Sequence, residues 1–351
     1  MRVLVVAHHL APEMLVVWRA CAGGDVDLHV AGTLEGPATE AFDVHPALPD
    51  WAPAYPFRPR DVARRGLLWW YYPGLGRLIR SLRPDVVHVN GEPWAVLVTQ
   101  ALHSGARVVA HGADNMFTHG PRAEVVARLA VARRNLRRSA AYVSWNAAGL
   151  ALARTHGLRG PGLVAPAVLP DPAAFAALPR AERPYTVGYL GRLDPLKGID
   201  VLVNAARGVA DRLVIGGSGQ DRPRLEAVGA HLAGPVAHAD VPAFLAGLDV
   251  LVVPSVTTAT GKEQFGRVVV EAMWAGTPVV VSDSGALPEV AGDGGVVVPE
   301  GSVEALADAL RDLRDPARRA ALATAGAQRV RATYDPPVVA AHLTALWASV
   351  A

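Results

Sequence analysis

The stretch Lys262–Met273, KEQFGRVVVEAM, sets two glutamates, Glu263 and Glu271, eight residues apart around a Phe-Gly pair and an unbroken valine run. On one helix, eight steps of about 100° would leave them roughly 80° apart, too divergent to hold one small group. The spacing makes sense if Glu263 sits in a loop and Glu271 in the helix after it. Apolar runs flank the stretch, DVLVVP at 249–254 and TPVVVS at 277–282. Strand, loop, helix and strand in that order read as one βαβ unit of a parallel sheet.

Working outward, the same rhythm covers the chain. Runs at 3–7, 26–30, 85–89, 106–110, 140–144 and 162–166 form a first series, and runs at 185–190, 211–216, 249–254, 277–282 and 294–299 a second. Between them, residues 166–184 hold five prolines and no strong periodicity, the mark of a linker. A length of 351 residues suits two domains of about 150 residues each. The fold class expected is therefore α/β, two doubly wound parallel sheets with a cleft between them. In such sheets ligands bind beyond the carboxyl ends of the strands, so the loops after the runs should carry the chemistry.

Composition excludes several classes. A net charge of +2 offers no electrostatic reason for a nucleic-acid partner. Cys21 is the single cysteine, which rules out an internal disulfide framework and a cysteine metal cluster, and a reducing compartment fits. No apolar run reaches 18 residues, and the N-terminal run of five is too short for a signal peptide. The cations are 32 arginines and only two lysines, Lys197 and Lys262, so each lysine stands out.

Three loops carry candidate residues. In GRLDPLKGID, Gly191 allows a close turn, Arg192 offers a planar fork and Lys197 a compact charge, together a clamp for a diphosphate. In GGSGQDRPRLEA, Gly216, Gly217 and Gly219 can present backbone N–H groups to an anion or form a plain strand-to-helix turn. In SVTTATGKEQFG, Gly266 can bring the next helix N-terminus to a phosphate, with Glu263 at the mouth and Glu271 inside. Each carboxylate is suited to gripping a vicinal diol.

GRLDPLKG followed by EQFGRVVVEAMWAGTPVV resembles the retaining glycosyltransferases of family 4, which have the GT-B fold of two facing Rossmann-like domains. The resemblance is dense from Gly188 to Val298. It implies that Arg192 and Lys197 bind a donor diphosphate, that Glu271 binds ribose hydroxyls, and that Glu263 contacts the transferred sugar beside the Phe265 and Gly266 backbone. It further implies an acceptor domain over 1–170, a nucleotide-sugar domain over 171–334, and a final helix over 335–351 packing back toward the first. The first domain differs from many relatives, with HHLAPEM, including His8, where they carry a Gly-Gly turn. Acceptor-side candidates are His8, Glu92 and Asn115, and His111, in the loop expected after its strand, is the histidine the family often places near the sugar. A histidine satisfied locally at a strand end is the alternative for His111.

The expected reaction moves a sugar from a nucleoside-diphosphate sugar, with uridine diphosphate the usual carrier, to a hydroxyl acceptor, either a specialised metabolite or a cell-envelope intermediate. The nucleotide sugar is a substrate, and neither a cofactor nor a metal is expected. The rival readings are a nucleotide-sugar epimerase of the same fold and a silent nucleotide-binding subunit. Residues 121–139, with six arginines against one glutamate, could meet an anionic membrane surface or form a solvated helix face. The aromatics of LLWWYYPGLGRLI, 67–79, could stack on an acceptor or pack in a core. The location expected is the cytoplasm, with weak peripheral association at the inner membrane face kept open.

Overall fold

The structure is a computed structural model that describes residues 1–8, 10, 12–33, 50–57, 60–61, 70–116, 122–165, 168–169, 171–175, 183–227, 232–259 and 261–351. The chain divides into two compact units, Met1–Pro170 together with Pro336–Ala351, and Asp171–Asp335.

The first unit runs β1 (Arg2–Ala7), α1 (Pro12–Cys21), β2 (Asp27–Thr33), β3 (Ala54–Phe57), a short antiparallel pair β4 (Arg60–Asp61) and β5 (Trp70–Tyr71), α2 (Leu75–Leu82), β6 (Val86–Asn90), α3 (Val96–Leu102), β7 (Val108–Gly112), α4 (Arg122–Arg138), β8 (Ala141–Ser144), α5 (Ala147–Thr155) and β9 (Gly162–Val164). Its sheet has the order β3-β2-β1-β6-β7-β8-β9 with every pairing parallel. Val3 to Ala7 are fully buried, as consecutive apolar residues must be when helices cover both faces.

The second unit runs β10 (Thr186–Leu190), α6 (Ile199–Ala206), β11 (Arg212–Gly216), α7 (Arg222–Ala227), β12 (Leu232–Gly234), α8 (Val241–Ala246), β13 (Val250–Val253), α9 (Arg267–Trp274), β14 (Val279–Ser282), α10 (Leu287–Ala291), β15 (Gly295–Val298), α11 (Val303–Asp312) and α12 (Pro316–Thr333). Its parallel sheet has the order β12-β11-β10-β13-β14-β15. Both sheets are Rossmann-like, as the alternation of runs predicts. The strands that sequence reading misses, β3 and β12 among them, are short and lie at sheet edges. An edge strand needs apolar cover less and tolerates proline, here Pro56, so its periodicity is weak.

In each sheet the strand order reverses at one place, between β1 and β6 and between β10 and β13. Crossovers leave in opposite directions there, and the loops part to leave a crevice at the carboxyl ends of the strands.

The last helix, α13 (Pro336–Val350), belongs to the first unit. Its Val339, Leu343 and Trp347 share a core with Met14, Val17 and Trp18 of α1. Cys21 lies in the same core, its thiol pushed up to about 12 by burial, and it behaves as a small apolar residue. Leu343 is 1% exposed, so Leu343→Ala should cost about 2–5 kcal/mol, the usual range for a core truncation. In calorimetry the loss should fall on the first unit's transition and leave that of the second in place.

Candidate functional site

In the second unit, the loops after β10 and β13 meet at the reversal of strand order. Together with the start of α9 they line a pocket of about 330 Å³ that includes Gly191, Arg192, Lys197, Glu263, Gly266 and Glu271. Lys197 Nζ donates to Glu263 Oε2 at 2.6 Å, and Ser255 Oγ donates to the same oxygen at 2.9 Å. Both charged side chains are mostly buried, at 16% and 12% exposure. The pair therefore sits where solvent screens it little, and loss of either partner leaves the other uncompensated. Arg192 is different: its side chain is 77% exposed at the rim, and its Nη2 lies 3.1 Å from Asp194 Oδ2. Asp194 also accepts from the Leu196 amide, which shapes the turn that presents Lys197.

Gly266 caps α9 with φ 80°, a left-handed conformation that glycine adopts at least cost, and no side chain caps the helix there. The Val269 N–H donates to the Gly266 carbonyl oxygen at 2.9 Å, so the turn closes on its own backbone and its positive end faces the pocket without a side-chain cap. Glu271, the fifth residue of α9, is 6% exposed overall, and Arg267 Nε lies 3.3 Å from its Oε1. That contact joins residues four apart on one helix. Glu263 lies in the loop and Glu271 in the helix, the separation that their spacing implies. The Phe265 side chain is buried with its ring 5.8 Å from that of Tyr334, packed in the interior and away from the residues that line the pocket. Gly217 supports the site from behind: a Cβ on it would stand 1.8 Å from the Gly191 carbonyl oxygen, so the two turns meet backbone to backbone.

In the first unit, His8, Glu92, His111 and Asn115 gather at the carboxyl ends of β1, β6 and β7, where Ala7 pairs with Asn90 and Asn90 with His111. His111 lies inside β7, not in the loop after it, and only 2% of it is exposed. Its Nδ1 is 3.1 Å from His88 Nε2. Burial pushes the His111 imidazole down to about 4, a backbone interaction with Ala165 pulling the other way. His8 is buried with Nδ1 2.9 Å from the Tyr72 hydroxyl. Glu92 turns inward, its Oε1 accepting from the amides of Ala113 and Asp114 at 2.9 and 3.2 Å. It thereby organises the loop after β7. Burial raises the Glu92 carboxyl to about 7, the nearby Asp114 adding to the shift and the two amides opposing it. Asn115, next to that loop, is buried as well.

Of the aromatic cluster, Tyr72 is core and Tyr71 is 43% exposed, while residues 67–69, like His9, lie outside the described residues. The arginines of α4 at 122, 133, 134, 137 and 138 are exposed, as on a solvated face. Among the described residues no helix is long and apolar enough to cross a membrane, and no three His, Cys, Asp or Glu side chains gather to hold a metal ion.

Sequence reasoning missed Ser255, Arg267 and His88. The spacing of Arg267 to Glu271 was a usable signal. Ser255 and His88 reach their partners through the fold alone.

Residues 184–315 match the family described as Glycosyl transferases group 1. The matched segment lies wholly within the second unit. The chain is 40% identical over 191 residues to phosphatidyl-myo-inositol mannosyltransferase of Mycobacterium leprae, covering 50% of this chain and 49% of that protein. It is 38% identical over 208 residues to GDP-mannose-dependent alpha-(1-6)-phosphatidylinositol monomannoside mannosyltransferase of Mycobacterium tuberculosis, covering 52% and 53%. The chain spans about half the length of the curated relatives it matches. Among solved structures, HepE of Anabaena with UDP and glucose superposes with a TM-score of 0.72 at 18% identity, covering 99% of this chain and 100% of that one. Sucrose-phosphate synthase of Thermosynechococcus elongatus gives 0.74 at 19%, covering 100% and 99%. These likenesses show a GT-B fold. Within the matched segment lie the paired Lys197 and Glu263, the exposed Arg192 and the helix that carries Glu271.

The Glu92 carboxyl yields a test in the first unit. It holds its proton more tightly folded than unfolded, so between about pH 4.5 and 7 the folded chain binds more protons and stability falls as pH rises. The loss should amount to about 3 kcal/mol by pH 7. Glu92→Gln, which cannot titrate, should flatten that part of the curve in denaturant unfolding followed from pH 4.5 to 7.5.

Proposed function

We propose that the chain transfers a sugar, with retention of anomeric configuration, from a nucleoside diphosphate sugar held by the second unit to a hydroxyl acceptor. The observation that carries this reading is the convergence of Lys197, Glu263 and the uncapped start of α9, with Glu271 just inside the helix. Lys197, the rim Arg192 and the positive end of α9 suit a diphosphate leaving group, and on this reading the transfer runs without a divalent ion. On this reading Glu271 accepts hydrogen bonds from the ribose hydroxyls and Glu263 from the transferred sugar.

In the reaction, the bond from the sugar's anomeric carbon to the phosphate oxygen breaks while the bond to the acceptor oxygen forms on the same face. The acceptor proton passes to the departing phosphate oxygen. No strong base is required; the protein stabilises charge on the diphosphate and holds the reactants together. His111, buried and neutral, would serve as a hydrogen-bonding group rather than a base.

The relatives at 38–40% identity are mannosyltransferases by name, one of them GDP-mannose-dependent, so we take GDP-mannose as the donor ahead of a UDP-sugar. Their names also specify phosphatidylinositol acceptors, which favours a cell-envelope lipid intermediate over a small metabolite. The exposed arginines of α4 fit approach to an anionic surface. The epimerase reading has no support in these relatives.

A donor panel read by nucleotide release, with and without lipid acceptor, should give turnover with GDP-mannose that survives a chelator. Glu271→Ala should weaken both free nucleoside diphosphate and donor, by about 1.5–3 kcal/mol in calorimetric titration. Glu263→Ala should cut turnover yet leave nucleotide affinity intact or improved, because Lys197 loses its present partner. Equal losses for both ligands in both variants would sink the assignment of the two glutamates to two rings. Nucleotide binding with no turnover on any donor would favour the silent subunit.

A further inference from the structure

Beneath the first unit's strand ends, three side chains far apart in sequence form an unbroken buried chain of hydrogen bonds. Trp347 Nε1, on α13, lies 3.1 Å from His88 Nδ1, on β6. His88 Nε2 lies 3.1 Å from His111 Nδ1, on β7. The rings meet edge to face in both contacts, at 80° and 89° between planes. Trp347 and His88 are fully buried.

The proton count in this chain has one solution. An indole N–H can only donate, so His88 Nδ1 must accept. Both imidazoles are held neutral: burial pushes His88 well below its ordinary range, with His111 nearby as a lesser cause, and pushes His111 to about 4. A neutral imidazole has one N–H, which on His88 must therefore sit at Nε2. That N–H points at His111 Nδ1, which must accept in its turn, since two facing N–H groups would repel. The remaining proton of the pair therefore lies on His111 Nε2.

We propose that Trp347 and His88 are positioning residues that lock His111 in its Nε2–H tautomer, so that the last helix of the chain decides which end of that imidazole donates a hydrogen bond. The proposal rests on the reading above for the use of His111 in transfer, but the tautomer itself requires no substrate. The direction of the lock matters because a ring with two tautomers in exchange presents a donor at Nε2 only part of the time. It also explains why α13 packs on the first unit through a tryptophan whose polar edge is turned toward β6.

The test uses the full chain labelled with nitrogen-15 histidine and long-range proton–nitrogen spectra, which separate protonated from unprotonated ring nitrogens; His111→Asn assigns the His111 signals. His88 and His111 should each appear as a single Nε2–H tautomer at neutral pH. Trp347→Phe keeps a ring in the core but removes the donor, and His88→Leu breaks the chain at its centre; in both, His111 should populate two tautomers. His88→Gln should restore the single form, because its carboxamide oxygen can accept from Trp347 and its NH2 can donate to His111 Nδ1. With GDP-mannose turnover in hand, kcat should fall roughly five- to tenfold in Trp347→Phe and His88→Leu at little change in donor KM, and recover in His88→Gln. A lone Nε2–H tautomer persisting in both Trp347→Phe and His88→Leu overturns the lock, as does a mixture in the unaltered chain. A tautomer shift with unchanged kcat overturns the positioning role. If no donor is turned over at all, the spectra still decide the lock, and the failure belongs to the proposed transfer.

Discussion

A parallel sheet ends all its strands at one edge, and the rest of this chain's organisation follows from that constraint. Each strand must be followed by a crossover before the next can pair, so each unit collects its strand-to-helix loops on one side. Where strand order reverses, between β10 and β13, two of these loops stand side by side with no crossover between them. Lys197 and Glu263, 66 residues apart, touch for that reason. The same reversal between β1 and β6 sets His8 and Glu92 at one edge of the first sheet. Chemistry-bearing residues are therefore supplied by loops, while position is supplied by strands buried on both faces.

The two units handle polarity at that edge in opposite ways. In the second, the groups are charged and compensated: Lys197 with Glu263, Arg267 with Glu271, Arg192 with Asp194. Partial solvent access and a helix N-terminus make charge tolerable there and leave it available to an anion. In the first, His88 and His111 are buried and held neutral, and burial draws the Glu92 carboxyl toward its protonated form. His88 and His111 fall below their ordinary range and Glu92 rises above its own. Neutral groups in such a setting act through hydrogen-bond direction rather than charge, so the order of donors and acceptors carries the information.

The strand rhythm, the linker near residue 170 and the assignment of Glu263 to a loop and Glu271 to a helix were legible in the residues themselves. Each depends on spacing within a short window: runs of valine between glycines, eight residues against a helical period, prolines clustered between two series. Edge strands such as β3 and β12 were not, because they need little apolar cover and leave little pattern. His111 was found as a residue and misplaced by one element, since a run such as RVVAHG, 107–112, does not show where pairing stops; here it continues through Gly112.

The sequence by itself determined which segments become strands, which loops follow them, and which of those loops carry lysine, arginine and glutamate, because local periodicity and residue chemistry are properties of neighbours along the chain. Only the tertiary structure decided that Ser255 would hold Glu263, that Glu92 would turn inward to the amides of Ala113 and Asp114, and that Trp347 would reach His88 across 259 positions. Those contacts arise where separate elements are pressed together by burial of their apolar faces. No spacing along the chain encodes which polar atoms then find themselves within hydrogen-bond reach of one another.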